Sequence, residues 1–116
     1  MMKERDIQKA IVNYLKLQYP NVLYCASAGG LRTSIKQARM MKATGYVKGF
    51  PDLMVMEPVG KFHGLFLEIK TKKGRATKEQ LLWRHKLNDR NYVCEITYGF
   101  EETKEVIDRY INNKII

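Results

Sequence analysis

Residues 64–70 read Gly-Leu-Phe-Leu-Glu-Ile-Lys, an apolar run with the pattern of a β-strand. Because side chains alternate between the two faces of a strand, Glu68 and Lys70 point to the same face, about 7 Å apart along the backbone. Residues 52–57 read Asp-Leu-Met-Val-Met-Glu and predict a second strand, separated from the first by a short turn with a proline and a glycine. We therefore expect a β-hairpin in which Asp52 approaches Glu68 from the adjacent strand.

The rest of the chain predicts an α/β domain around this hairpin. Helices are predicted at 4–18, 33–43, 77–89 and 100–112, and further strands at 22–25 and 91–96. The order α-β-α-β-β-α-β-α favours a mixed β-sheet of about four strands flanked by helices. A chain of 116 residues has room for a single domain, residues 1–116, which excludes a multidomain enzyme.

The charge of the chain is strongly positive and unevenly placed. There are 21 lysines and arginines against 12 aspartates and glutamates, which gives a formal net charge of +9. Residues 7–51 contain no acid, and residues 70–78 form a second basic run. Such tracts are often only a solvated surface, but the excess favours a polyanionic partner, either nucleic acid or an anionic membrane surface.

The cysteines and the hydropathy pattern narrow the class of protein further. Cys25 and Cys94 lie in apolar stretches without metal-ligand spacing, so free buried thiols are expected rather than a disulfide or a metal site. No apolar run approaches the roughly 18 residues that span a bilayer, and the first residues lack the apolar core of a signal peptide. The sequence thus predicts a soluble intracellular protein that does not span a membrane.

Two carboxylates and a lysine at one place suggest metal-dependent hydrolysis. Mg²⁺ prefers oxygen ligands and is commonly held by one or two carboxylates together with substrate phosphate. A cation between Asp52 and Glu68 would polarise a phosphodiester and lower the pKa of a bound water, which Lys70 could orient or deprotonate. The alternative is that Glu68 and Lys70 form an ordinary solvent-facing pair, as expected of most isolated Glu-x-Lys tripeptides.

The same residues resemble a known nuclease signature. Gly49-Phe50-Pro51-Asp52 followed by Glu68-Ile69-Lys70 is similar to the PD-(D/E)xK motif. The first helix, which begins Glu-Arg-Asp-Ile-Gln at residue 4, and the run at 68–80 resemble the VRR-NUC branch of that superfamily. The resemblance extends over about residues 4–96. It implies a restriction endonuclease-like core and a stand-alone module of the phage and bacterial type, working in a bacterial cytoplasm or a phage-infected host cell.

The resemblance also implies roles for individual residues. Asp52 and Glu68 are expected to be catalytic metal ligands, together with the backbone carbonyl of Ile69. Lys70 takes the position of the catalytic lysine. The cofactor implied is Mg²⁺, with Mn²⁺ as a substitute.

Two further residues match the family pattern but also have a purely structural interpretation. Glu4 matches an acidic metal ligand on the first helix, and it could equally be a first-turn acid that stabilises the helix dipole. Gln80 matches a glutamine of the catalytic site, and it could equally close a capping box with Thr77. For Gln80 the two roles are geometrically compatible.

The basic tracts are expected to hold the DNA backbone. Contacts to phosphate position the nucleic acid without reading its sequence, and their affinity falls steeply with salt. Three of these residues fall on one helical face, and four directly follow the predicted catalytic strand. The predicted DNA-binding residues are Arg32, Lys36, Arg39, Lys72, Lys73, Arg75 and Lys78.

These observations favour a divalent-metal-dependent DNA endonuclease, with DNA rather than a membrane as partner. The resemblance implies double-stranded or branched DNA, such as Holliday junctions, as the substrate. A small enzyme with one site that cuts two strands is expected to work as a homodimer, with each subunit cutting one strand. The alternative is a non-catalytic nucleic-acid-binding module that retains the nuclease fold. A sequence-specific restriction-type enzyme is a third possibility, but the chain has little room for a base-reading element.

Overall fold

The structure is a computed structural model that describes residues 2–27 and 34–114. Within these ranges the elements follow the predicted order, which confirms the α/β fold class. They are α1 (Glu4–Gln18), β1 (Tyr24–Ala26), α2 (Ile35–Ala43), β2 (Leu53–Val55), β3 (Leu65–Lys70), α3 (Lys78–Asn88), β4 (Val93–Tyr98) and α4 (Phe100–Ile111).

The strands form one mixed sheet in the order β1-β2-β3-β4. β2 is antiparallel to both β1 and β3, whereas β3 and β4 run parallel. The predicted hairpin is therefore confirmed, with Leu53 directly opposite Leu67. If the register is continued by one residue before the start of β2, Asp52 lies opposite Glu68.

Helices α1 and α4 cover one face of the sheet and build the core with it. On this face Leu65, Leu67 and Ile69 of β3 are completely buried. Full burial of such an aliphatic side chain stabilises the fold by roughly 1.5–3 kcal/mol, so this layer fixes the position of β3. The helices contribute Ile7, Ile11, Leu15, Ile107 and Tyr110.

A polar cluster fastens α4 to the C-terminal half of α1. The hydroxyl groups of Tyr14 and Tyr19 donate hydrogen bonds to the same carboxylate oxygen of Asp108, at 2.5 and 2.7 Å. Burial alone would raise the pKa of Asp108, but these hydrogen bonds and the neighbouring Lys104 outweigh it, so the pKa is lowered. Asp108 is therefore a charged anchor between the two helices.

An aromatic row links α3 to the opposite face of β3. Trp83 and Phe50 meet edge to face with ring centroids 5.0 Å apart, and Phe50 meets Phe66 of β3 at 5.8 Å. The Trp83 indole N–H also donates a hydrogen bond to the carbonyl oxygen of Lys48, at 3.2 Å. The bend that precedes Asp52 is thereby held between α3 and the sheet.

The structure corrects the prediction for one cysteine. Cys94 is buried in β4, and burial is the main reason that the pKa of its thiol rises to about 12. Cys25 is exposed, which contradicts the expectation of two buried thiols. The reason is that β1 is a three-residue strand at the edge of the sheet, where only Tyr24 is partly covered.

Helix α2 has no buried residue. Ser34 caps it by accepting a hydrogen bond from the Gln37 N–H while the Gln37 side chain accepts from the Ser34 N–H. The predicted start of this helix at residue 33 lies outside the described residues. In the described part of the chain, the helices are too short or too polar to cross a membrane.

Candidate active site

The hairpin brings Asp52 onto the middle of the sheet, beside Glu68. Asp52 follows Pro51 directly and is partly buried. Its Oδ2 accepts a hydrogen bond of 2.8 Å from the backbone N–H of Ile69, two residues beyond Leu67, which is the last residue of β3 that pairs with β2. The carboxylate is therefore fixed in orientation by the backbone of β3 rather than left free in solution.

Glu68 and Lys70 are buried, with 4% and 7% of their surface exposed. The Lys70 ammonium nitrogen lies 3.8 Å from Oε2 of Glu68. Removing charged groups from water costs several kcal/mol each unless other charges compensate, so a buried pair of this kind needs a reason to persist. The alternative of a solvent-facing surface pair is wrong.

The electrostatics of the site indicate a deficit of positive charge. Burial, then the charge and hydrogen bond of Asp52, raise the pKa of Glu68 from 4.5 to about 9. Lys70 acts against this shift, and the charge of Glu4 adds to it. Two carboxylates that share a buried site are stabilised when a cation or a proton lies between them.

The donor set of the site fits a hard divalent cation. Asp52 and Glu68 offer only oxygen atoms, and carboxylate and carbonyl oxygens suit Mg²⁺ and Mn²⁺ rather than softer metals. In the described part of the chain, no three His, Cys, Asp or Glu side chains lie close enough to hold a metal ion together. Such a cation would thus depend on this carboxylate pair with backbone, water and substrate oxygens, as is usual for Mg²⁺.

Glu4 is exposed at the start of α1, where it contributes charge to Glu68 from a distance. Its role as a metal ligand stays a prediction. Ile69 has its side chain in the core and its N–H on Asp52, and the role of its carbonyl oxygen also stays a prediction.

Gln80 closes the predicted capping box at the start of α3. Its Oε1 accepts a hydrogen bond from the Thr77 N–H at 2.9 Å, and the Thr77 hydroxyl accepts from the Gln80 N–H at 3.2 Å. Gly49 lies directly against this turn, because a Cβ at Gly49 would sit 3.0 Å from the Gln80 nitrogen. The cap therefore lies beside the segment that carries Asp52, while a catalytic role of Gln80 is a prediction.

The predicted DNA-binding residues fall into two exposed groups. One lies on α2, and the other lies on the segment from the end of β3 to the start of α3. Arg32 lies outside the described residues. The described members, all exposed, are Lys36, Arg39, Lys72, Lys73, Arg75 and Lys78.

Sequence reasoning missed Gly74, which lies over the side chain of Lys70. A Cβ at Gly74 would be 3.2 Å from the Cβ and 3.4 Å from the Cδ of Lys70. The segment after β3 thus folds back and covers the aliphatic part of the lysine, which helps to explain its burial. The available signal was a small residue four positions after Lys70 within an otherwise basic run.

Comparison with known proteins shows the family and the fold of the chain. The family model for the VRR-NUC domain matches residues 2–101. A solved structure described as "VRR_NUC domain protein" is 25% identical, with a TM-score of 0.79 over 97% of this chain and 90% of that chain. Another, described as "VRR_NUC domain", is 21% identical and shares the fold, with a TM-score of 0.64 over 95% of this chain and 99% of that chain. No curated protein matches the chain.

Proposed function

The chain belongs to the VRR-NUC family of PD-(D/E)xK nuclease domains, and on that premise we propose that it is a divalent-metal-dependent DNA endonuclease. The observation that carries the proposal is the buried cluster of Asp52, Glu68 and Lys70. A module that only binds nucleic acid gains nothing from two carboxylates near phosphate, because they repel it. The cluster is therefore best explained as hydrolytic machinery.

The residues of the cluster have separate roles in this proposal. Asp52, oriented by the Ile69 N–H, and Glu68 would hold Mg²⁺ or Mn²⁺, with the Ile69 carbonyl as a further ligand. Glu4 would join them only if the start of α1 moved closer to this pair. When bound, the cation supplies Lewis acidity toward the phosphodiester and the attacking water. Lys70 is held close to Glu68 and covered by Gly74, so its ammonium group has few rotamers from which to orient water or offset developing negative charge.

The exposed lysines and arginines would position DNA on this cluster. Lys72 and Lys73 follow Lys70 within three residues, so the phosphates they bind would flank the scissile bond. Lys36 and Arg39 on α2 would bind the backbone further away. Because none of these contacts reads a base, we expect selection by DNA structure, with branched or double-stranded DNA as substrate.

The homodimer and the cellular location that we propose rest on membership of the family and on the small size of the chain. A single cluster per chain cuts one strand, so a homodimer would cut both strands of a junction. A role on DNA in a bacterial cytoplasm or an infected host cell agrees with the high positive charge of the chain.

Cleavage of supercoiled plasmid and of a four-way junction tests the proposal. We expect nicking and junction cleavage with Mg²⁺ or Mn²⁺ and none with EDTA. Asp52→Ala should abolish cleavage and retain DNA binding. The matched control is Asp89→Ala, which removes an exposed carboxylate that pairs with His85 at the end of α3.

The two competing functions give different results in this experiment. Tight DNA binding without cleavage of either substrate under any metal condition would favour the non-catalytic binding module. Full activity of Asp52→Ala would contradict the assignment of the site itself.

A further inference from the structure

A second concave feature lies at the end of β3, beyond the carboxylate pair. β3 and β4 run parallel and both end here, and the Gly99 N–H donates a 2.8 Å hydrogen bond to the carbonyl oxygen of Lys70. Ligands of α/β sheets commonly bind at the carboxyl ends of parallel strands. A pocket of about 420 Å³ occupies this position, within the size range of small-molecule sites.

The pocket is apolar inside and cationic at its edge. Its apolar lining comes from Met2, Ile7 and Phe100, and the exposed lysines Lys72 and Lys73 border it. An apolar interior beside two ammonium groups suits an uncharged, flat group that is attached to phosphates. A nucleobase within a DNA strand has this chemistry.

The aromatic ring in the pocket is held in place. Phe100 is partly buried and meets Tyr14 edge to face, with centroids 6.3 Å apart. Tyr14 is in turn fastened to Asp108. A ring that is fixed before binding can stack on a base with little loss of side-chain entropy.

The position of Lys72 also depends on a glycine of the pocket. Gly99 has a positive φ of 90°, and a Cβ there would come within 3.3 Å of the Cγ and Cε of Lys72. The lysine stem therefore lies across Gly99 at the edge of the pocket, two residues from Lys70. A phosphate bound there would lie at the end of the strand that carries Glu68 and Lys70.

The single acid of the lining favours a base over a phosphate inside. Glu101 is exposed and lines the same pocket. Its carboxylate would repel a phosphate that entered, but it can accept a hydrogen bond from a base amino group. Phosphates are thus favoured on the side of the lysines, and the interior is left for the base.

We infer that this pocket takes one unpaired nucleobase of the DNA strand whose phosphate lies at Asp52 and Glu68. The inference rests on the proposed function and adds a reason for structure selectivity. A base inside an intact duplex must first be unpaired and unstacked, which costs a few kcal/mol, whereas a base at a branch or frayed end is already available. The pocket would therefore favour branched DNA.

Binding to a duplex with a splayed single-stranded end tests the inference, in EDTA to withhold divalent cations. In one series 2-aminopurine replaces each unpaired base in turn, and in a second series an abasic nucleotide does so. We expect one position at which the 2-aminopurine fluorescence changes on binding. At that position the abasic nucleotide should weaken binding about five- to 150-fold, the range expected for base–aromatic stacking.

Variants connect this effect to the pocket. Phe100→Leu keeps an apolar side chain without the aromatic face, so it should weaken binding to the base-containing DNA and abolish the difference between base and abasic nucleotide. Phe62→Leu, the same change in the turn before β3, should preserve that difference. The abasic series uses the unchanged protein, so it tests the inference even if Phe100→Leu unfolds.

Two outcomes would overturn the inference. One is equal affinity for base-containing and abasic DNA at every position. The other is a folded Phe100→Leu protein that keeps the full difference in affinity between base-containing and abasic DNA. A loss of affinity that is equal for both DNAs is such a result, because it would indicate a merely structural role of Phe100. Failure of the proposed function looks different, because the wild-type protein would then show base-dependent binding without cleaving any DNA in Mg²⁺ or Mn²⁺.

Discussion

Replacing Gly49 by alanine tests how closely the segment before Asp52 must approach α3. Gly49 has a φ of 89°, and a Cβ there would lie 2.6 Å from the Cβ and 2.8 Å from the carbonyl carbon of Glu79. The positive φ costs an L-residue about 1–2 kcal/mol, and forcing an extra methyl into a packed contact costs about 1–3 kcal/mol. Gly49→Ala should therefore destabilise the protein by roughly 2–5 kcal/mol.

Gly45 offers a matched control, because it has a positive φ of 115° and nothing within 4 Å of an added Cβ. Gly45→Ala should lower the free energy of unfolding only by the strain of a positive φ, about 1–2 kcal/mol. At about 4 °C of melting temperature per kcal/mol, the expected losses are roughly 8–20 °C for Gly49→Ala and 4–8 °C for Gly45→Ala. Thermal unfolding followed by circular dichroism measures both. Equal losses in the two variants would refute the close packing of this bend on α3.

Two smaller predictions concern the helices that frame the sheet. Asp108→Asn removes the charge that accepts two tyrosine hydrogen bonds and should cost about 1–3 kcal/mol in urea unfolding. Folding lowers the pKa of Asp108. The stabilisation by this carboxylate is therefore present above the ordinary carboxyl pKa of about 3.9 and is lost as the pH falls through the lower folded value. If the free energy of unfolding of Asp108→Asn fell with acid as steeply as that of the wild-type protein, the role of Asp108 as a charged anchor would be contradicted. Thr77→Ala removes the cap of α3 and should cost about 1 kcal/mol. Ser34→Ala removes the equivalent cap of α2, a helix without a fully buried residue, so it should lower the free energy of unfolding by less than Thr77→Ala does. An equal loss in the two variants would contradict the loose packing of α2.

The hairpin and its carboxylates could be predicted because local patterns specify them. Alternation in residues 64–70, together with a short turn, places Asp52 near Glu68, and the structure confirms this arrangement. The Thr-x-x-Gln pattern likewise predicted the cap formed by Thr77 and Gln80. In both cases residues close in sequence determine the geometry.

The features that were missed depend on distant parts of the chain. Burial of Lys70 requires the segment at Gly74 to fold back over it, which no local pattern specifies. Exposure of Cys25 follows from the edge position of β1, and edge and central strands have similar compositions. The pocket at Phe100 requires the ends of β3 and β4 to meet, and this depends on the parallel pairing of strands far apart in sequence.

Lys70→Met shows whether the buried Lys70 ammonium takes part in phosphodiester hydrolysis. Methionine keeps an unbranched apolar stem that can pack against Gly74 and removes the ammonium group. Lys61→Met makes the same change in the exposed turn before β3. We expect single-turnover cleavage of a four-way junction in Mg²⁺ to fall about 10²–10⁴-fold in Lys70→Met, with DNA affinity close to wild type and with Lys61→Met unaffected. Cleavage by a folded Lys70→Met protein at the wild-type rate would mean that the Lys70 ammonium has no part in hydrolysis.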